Sequence, residues 1–139
     1  MEKEFIPYEQ ALALKELGFR ESCFAYYNNH SPKNNHQRGF IISQYSVQDH
    51  NEENEGDNLI CSAPLYQQAF RFFREEYNML STIYSNASGW CFEYLDNEGG
   101  THRYDSGYTG DCEMSGAFTS YEKAELACLK KLIEIVKTK

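Results

Sequence analysis

The sequence predicts an α+β fold, a single antiparallel sheet of about five strands backed by three helices, in the order α-β-β-α-β-β-β-α. Three observations predict it. Three segments carry apolar residues at helical spacing with recognisable start or stop signals. Between them lie short runs rich in aromatic and branched residues. Consecutive runs are separated by short turns, which favours antiparallel neighbours. At 139 residues the chain is long enough for one core, and no stretch rich in Pro, Gly or Ser divides it, so one domain over 1–139 is expected.

The first helix is predicted over 7–17. Pro7 suits a first turn, Ala11, Leu14 and Leu17 line one face, and Gly18 offers a left-handed residue past the end, with Phe19 placed to pack back. Strands are expected over 23–27 and 39–47. The second helix is predicted to open at Ser62 as N-cap and run to Asn78, with an apolar band from Leu65 to Tyr77. A second β region begins near Ser81, turns at 85–89, and continues as a strand over 90–95. There Trp90, Phe92 and Tyr94 alternate with Cys91, Glu93 and Leu95. Residues 96–100 read as a turn, and 101–108 return antiparallel. The last helix follows a possible capping box, Thr119 with Glu122, and places Ala124, Cys128, Leu132 and Ile135 in one apolar row.

The charge is acidic, 13 basic against 21 acidic residues, for a net −8. Five of the acids (Asp49, Glu52, Glu53, Glu55 and Asp57) fall in 48–58 without a Lys or Arg, so a solvated polar loop is expected there. An overall acidic balance argues against nucleic-acid binding, which needs a basic face. No apolar run is long enough for a membrane span, and the N-terminus lacks the basic start and apolar stretch of a secretory signal. A cytoplasmic location is expected. The five cysteines, at 23, 61, 91, 112 and 128, are odd in number, widely spaced and without a C-x-x-C pair. Free, mostly buried thiols in a reducing compartment fit that pattern.

No cofactor or metal site is expected. His30, His36 and His50 lack standard ligand spacing. The acidic loop also fails as a calcium loop, because Asn54 stands where Gly belongs and Ile60 where a Glu belongs. Catalysis is not expected either. Cys112, with His102 nearby in sequence, is flanked by Asp111 and Glu113, which raise a thiol pKa rather than lower it. Cys-dependent chemistry from that pair is the third reading of function.

The aromatic content is the stronger signal: 11 Tyr, 9 Phe and one Trp. Phe70, Phe73 and Phe92 are assigned to the core. Tyr26, Tyr45, Tyr84, Tyr94, Tyr104 and Tyr108 all fall in predicted strands, and a sheet face left uncovered would expose Tyr beside Trp90, His102 and Arg103. The candidate surface is therefore Trp90, Tyr94, His102, Arg103, Tyr104 and Tyr108. Such residues anchor protein partners. They also stack on nucleobases with an Arg near phosphate, so sequestration of a nucleotide-like ligand, in an aromatic pocket or at a homodimer interface, is the alternative.

Three stretches carry a resemblance: EFIPYEQALALKELGF at 4–19 with CFAYY at 23–27, SAPLYQQAFRFFREE at 62–76, and SYEKAELACLKKLIE at 120–134. Together the chain resembles a family of small uncharacterised proteins of anaerobic gut bacteria and of their phages and prophages. No activity comes with that family, so no functional residue is carried over. The resemblance implies a cytoplasmic accessory protein from a mobile element. By analogy with phage proteins of this size, the leading expectation is non-enzymatic binding to a host protein.

Overall fold

The structure is a computed structural model, and it describes residues 2–29, 39–43, 48–51, 59–97, 102–106 and 117–139. The chain is α+β, and its described residues form three α-helices and two three-stranded antiparallel sheets. In order these are α1 (Tyr8–Glu16), β1 (Ala25–Asn28), β2 (Gly39–Ile42), β3 (Leu59–Ala63), α2 (Tyr66–Tyr77), β4 (Met79–Asn86), β5 (Gly89–Asp96), β6 (His102–Asp105) and α3 (Tyr121–Thr138). Its contacts gather into two units, Met1–Ala69 and Phe70–Lys139, and the division falls inside α2.

This corrects the expected single sheet of about five strands. One sheet runs β2-β1-β3 and the other β4-β5-β6, so each strand pairs with strands on its own side of α2, β3 with β1 rather than with its sequence neighbour β2. The expected order also lacked a strand. Leu59–Ala63 pairs with β1, and Ser62, expected to cap a helix, sits opposite Tyr26 in that ladder. The reason is Pro64, which holds the residue before it in extended geometry, so no helix can begin until the proline is passed. α2 starts at Tyr66 instead, and Gln68 Oε1 accepts from the Leu65 N–H at 3.1 Å, the reciprocal half of a capping box.

In the first unit α1 ends as expected. Gly18 takes φ +93°, its N–H donates to Lys15 O at 3.0 Å, and the Phe19 N–H donates to Leu14 O at 3.0 Å. That pair of bonds is a Schellman closure, and Phe19 and Leu14 are both fully buried. α1 packs on β3. The Tyr27 hydroxyl donates to Ile6 O at 2.8 Å, while Phe40 packs on both Tyr27 and Phe5.

In the second unit β4 and β5 form a hairpin whose ladder runs from Met79↔Asp96 to Asn86↔Gly89. α3 packs on both strands and buries Ala124, Cys128, Leu129 and Leu132. Its N-cap is Ser120, whose hydroxyl accepts from the Lys123 N–H at 3.2 Å, one residue later than the expected Thr119. Thr119 instead accepts from the Lys123 ammonium at 2.9 Å. Among the described residues no helix is long and apolar enough to cross a membrane.

Candidate functional site

Antiparallel register decides which side chains share a face, because directly opposite residues point the same way and neighbours alternate. On β5 this groups Trp90, Phe92, Tyr94 and Asp96, opposite Ser85, Ile83, Ser81 and Met79 of β4. β6 adds Tyr104 opposite Tyr94 and His102 opposite Asp96. Arg103 stands opposite Leu95, so its register position belongs to the other face.

The Trp90 face is the one on which α3 lies. The Trp90 ring meets Tyr121 of α3 edge-on, with centroids 5.4 Å apart at 87°. The Lys139 ammonium lies 3.1 Å from the Asp96 carboxylate at the far end of the helix. Phe92, buried between these points, packs on Tyr104 at 5.7 Å and on Phe118 at 6.0 Å. Beyond the helix, towards the edge of the sheet, Tyr94 and Tyr104 stack with centroids 5.4 Å apart and planes 19° from parallel. Tyr94 is half-buried, and burial raises its phenol pKa, with Lys131 of α3 acting in the opposite sense. Tyr104 is 42% exposed. The sheet therefore grades from a closed aromatic core at Phe92 to an open tyrosine margin at Tyr104.

On the opposite face the Tyr84 hydroxyl donates to the Asp105 carboxylate, bracing β4 to β6 across the central strand. Burial and this carboxylate both raise the Tyr84 phenol pKa. Leu80, 43% exposed, also belongs to this face.

Ser106 closes the ladder at Phe92, its N–H donating to Phe92 O at 2.9 Å and its hydroxyl accepting from the Phe92 N–H at 2.8 Å. Two residues before Phe92 on β5, Trp90 pairs with a later segment of the chain. That partner is Phe118, which exchanges bonds of 2.9 and 2.6 Å with Trp90. Residues 107–116, with Tyr108 and Cys112 among them, lie outside the described residues. Gly89 makes this close approach of Phe118 possible: it has φ +138°, and a Cβ there would stand 2.7 Å from the Phe118 carbonyl oxygen.

Phe118 and Tyr121 were missed by sequence reasoning, which ended the β region at 108. The signal was the apolar pair Ala117-Phe118 directly before the helix cap.

The first unit holds a polar cluster at the start of the segment 48–58, where composition predicts a solvated loop. Gln48 pairs with Cys23 as a β-bridge, and residues 48–51 are bound into the fold. The Asn51 amide donates to Phe19 O at 2.8 Å and accepts from the Ser62 N–H at 2.9 Å. The Arg20 guanidinium donates to Asn51 O and lies 3.9 Å from the Asp49 carboxylate. His50 is 2% exposed, its N–H donates to Ser62 Oγ at 3.0 Å, and its Nδ1 lies 3.3 Å from Gln48 Nε2. Residues 52–58, His30, His36 and Tyr45 lie outside the described residues.

Burial raises the thiol pKa of Cys23, Cys61 and Cys128 to about 12 in each case, so these sulfurs stay protonated near neutrality. Among the described residues no three His, Cys, Asp or Glu side chains come together as a metal site. No protein-family model, curated protein or solved structure matches the chain.

Proposed function

We propose that this chain is a non-enzymatic accessory protein, derived from a phage or other mobile element, that binds a host protein through the tyrosine margin of its second sheet. The observation that carries the reading is Tyr104, 42% exposed on β6 and stacked on the half-buried Tyr94. A tyrosine held by a neighbouring ring has little rotamer freedom left to lose, and it offers both apolar area and a hydroxyl. Those properties make Tyr a frequent anchor of protein interfaces. On the same face the buried Phe92 packs on Tyr104 at 5.7 Å.

Other classes have less support. The Cys-dependent reading rests on Cys112, which lies outside the described residues, and burial keeps the thiols of Cys23, Cys61 and Cys128 protonated. Tyr94 and Tyr104 stack on each other, which leaves no slot between them for a nucleobase. The net charge of −8 opposes a polyanionic partner. A cytoplasmic setting fits the buried free thiols, since a reducing compartment keeps them so.

The test is affinity capture from lysates of gut anaerobes with the wild-type chain and with Tyr104→Ser, both checked for folding by circular dichroism. One host protein retained stoichiometrically by the wild type and lost with the variant supports the reading. Equal capture by both, or none by either, counts against it.

A further inference from the structure

We infer that residues 48–51 form an acid-released latch, in which protonation of the buried His50 lifts the segment off Phe19, Cys23 and Ser62 while the rest of the first unit stays folded.

The latch is held by polar bonds at both ends and by a ring between them. At one end the Cys23 N–H donates to Gln48 O at 2.9 Å, and the Gln48 N–H donates back to Cys23 O at 3.4 Å. At the other the Asn51 side chain donates to Phe19 O at 2.8 Å and accepts from the Ser62 N–H at 2.9 Å. Between them His50 is 2% exposed and lies against the Tyr26 ring. So short a segment opens at lower free energy than the unit as a whole.

His50 fits this place only when neutral. A neutral imidazole has one donor and one acceptor, whereas the charged ring has two donors. At Nδ1 the Gln48 amide, 3.3 Å away, serves either state by turning its oxygen or its nitrogen to the ring. Nε2 is buried and has no hydrogen-bond partner. An unpaired N–H on a buried cation is far more unfavourable than an unpaired nitrogen on a neutral ring.

The groups around the ring do not supply the missing acceptor. The Cys23 carbonyl already accepts from Gln48, and Ser62 Oγ accepts from the His50 N–H. Burial holds the Cys23 thiol protonated, its pKa pushed up to about 12. Among the described residues Asp49 is the charged group that acts on the ring. Its carboxylate accepts from the Asn51 N–H at 2.8 Å and lies 3.9 Å from the Arg20 guanidinium. Burial outweighs the pull of Asp49 and of the Cys23 carbonyl, so the closed latch keeps the ring neutral. In the open latch the ring is hydrated and takes a proton below the ordinary 6.5, so acid favours the open form. The latch is independent of the host-protein reading.

The experiment is amide hydrogen exchange on the full chain, followed by NMR at pH 7.5, 6.5 and 5.5. Each rate is divided by that of an unstructured chain at the same pH, which gives a protection factor. The Cys23 and Ser62 N–H groups report the latch. Their protection is expected to lie at least about tenfold below that of the most protected amides of α1 and β1. Between pH 6.5 and 5.5 it is expected to fall about fivefold, the value for a hydrated ring in the open form and a neutral one in the closed form. In His50→Gln the fall should disappear. Protection equal to that of the α1 and β1 amides overturns the inference, because the segment then opens only with the whole unit. A wild type without the fall overturns it too, as does a fall that persists in His50→Gln. Should His50→Gln not fold, the ring resonances of His50 in the wild type decide the matter. A neutral ring at pH 6 is the expected result, and a ring that titrates at 6.5 or above in the folded chain overturns the latch.

Discussion

The imidazole of His50 lies against the ring of Tyr26, with centroids 4.7 Å apart and planes tilted by 37°. Its Nε2 is buried with no hydrogen-bond partner. Desolvation lowers the His50 pKa below the ordinary 6.5, with the Cys23 backbone and the Asp49 carboxylate opposing the shift. The folded state therefore holds His50 neutral where the unfolded chain already binds a proton. Stability is full above pH 6.5 and is lost as pH falls below it, until the folded-state pKa is reached. One such group contributes a slope of at most about 1.4 kcal/mol per pH unit. Denaturant titrations at pH 7.5, 6.5 and 5.5 are expected to show this loss in the wild type. In His50→Gln the part of the slope between pH 6.5 and 5.5 due to this residue should vanish. An unchanged slope would place the acid sensitivity elsewhere.

Gly18 and Gly89 both have positive φ, yet they should differ in cost when a methyl group is added. At Gly18 a Cβ meets nothing within 4 Å, so Gly18→Ala carries only backbone strain, about 1 kcal/mol. At Gly89 the Cβ would meet the Phe118 oxygen at 2.7 Å in addition to the strain at φ +138°. Gly89→Ala is expected to cost about 3 kcal/mol and to weaken the Trp90–Phe118 bridge. Paired thermal melts compare the two. Equal losses would mean that Phe118 does not approach Gly89 closely enough to meet the added methyl group.

The start of α3 separates two adjacent hydroxyls. Ser120 accepts from the Lys123 backbone, whereas Thr119 meets only an exposed lysine side chain. Ser120→Ala is expected to destabilise by about 1 kcal/mol, and Thr119→Ala by a few tenths at most. Chemical denaturation measures both, and a larger loss at Thr119 would restore the capping box expected from Thr119 and Glu122.

Much of the fold was legible because local chemistry decides it. Gly18 followed by Phe19 ends a helix in any context, and the alternation from Trp90 to Leu95 is a strand whose faces can be read directly. Ser62 misled because the apolar run before it is short enough to suit strand or helix, and the restriction imposed by Pro64 on Ala63 was the deciding signal. The division into two sheets was not legible, since strand partners depend on tertiary packing that alternation does not encode. At the candidate site the stacking of Tyr94 on Tyr104 follows from register, which the turn at 96–100 left open by a residue. Arg103 was grouped with Tyr104, although neighbours on one strand face opposite ways. His50 was read as a loop residue because the acids around it mark the segment as polar, while its burial comes from Tyr26 and Ser62, distant in sequence.

The central claim is that Tyr104 sits where a host protein binds. Photocrosslinking tests it most directly, with a benzophenone side chain placed at residue 104 in one variant and at Leu80, exposed on the opposite face, in another. A host-protein adduct formed from residue 104 and absent from residue 80 is the predicted result. An adduct from residue 80 with none from 104 would contradict the account.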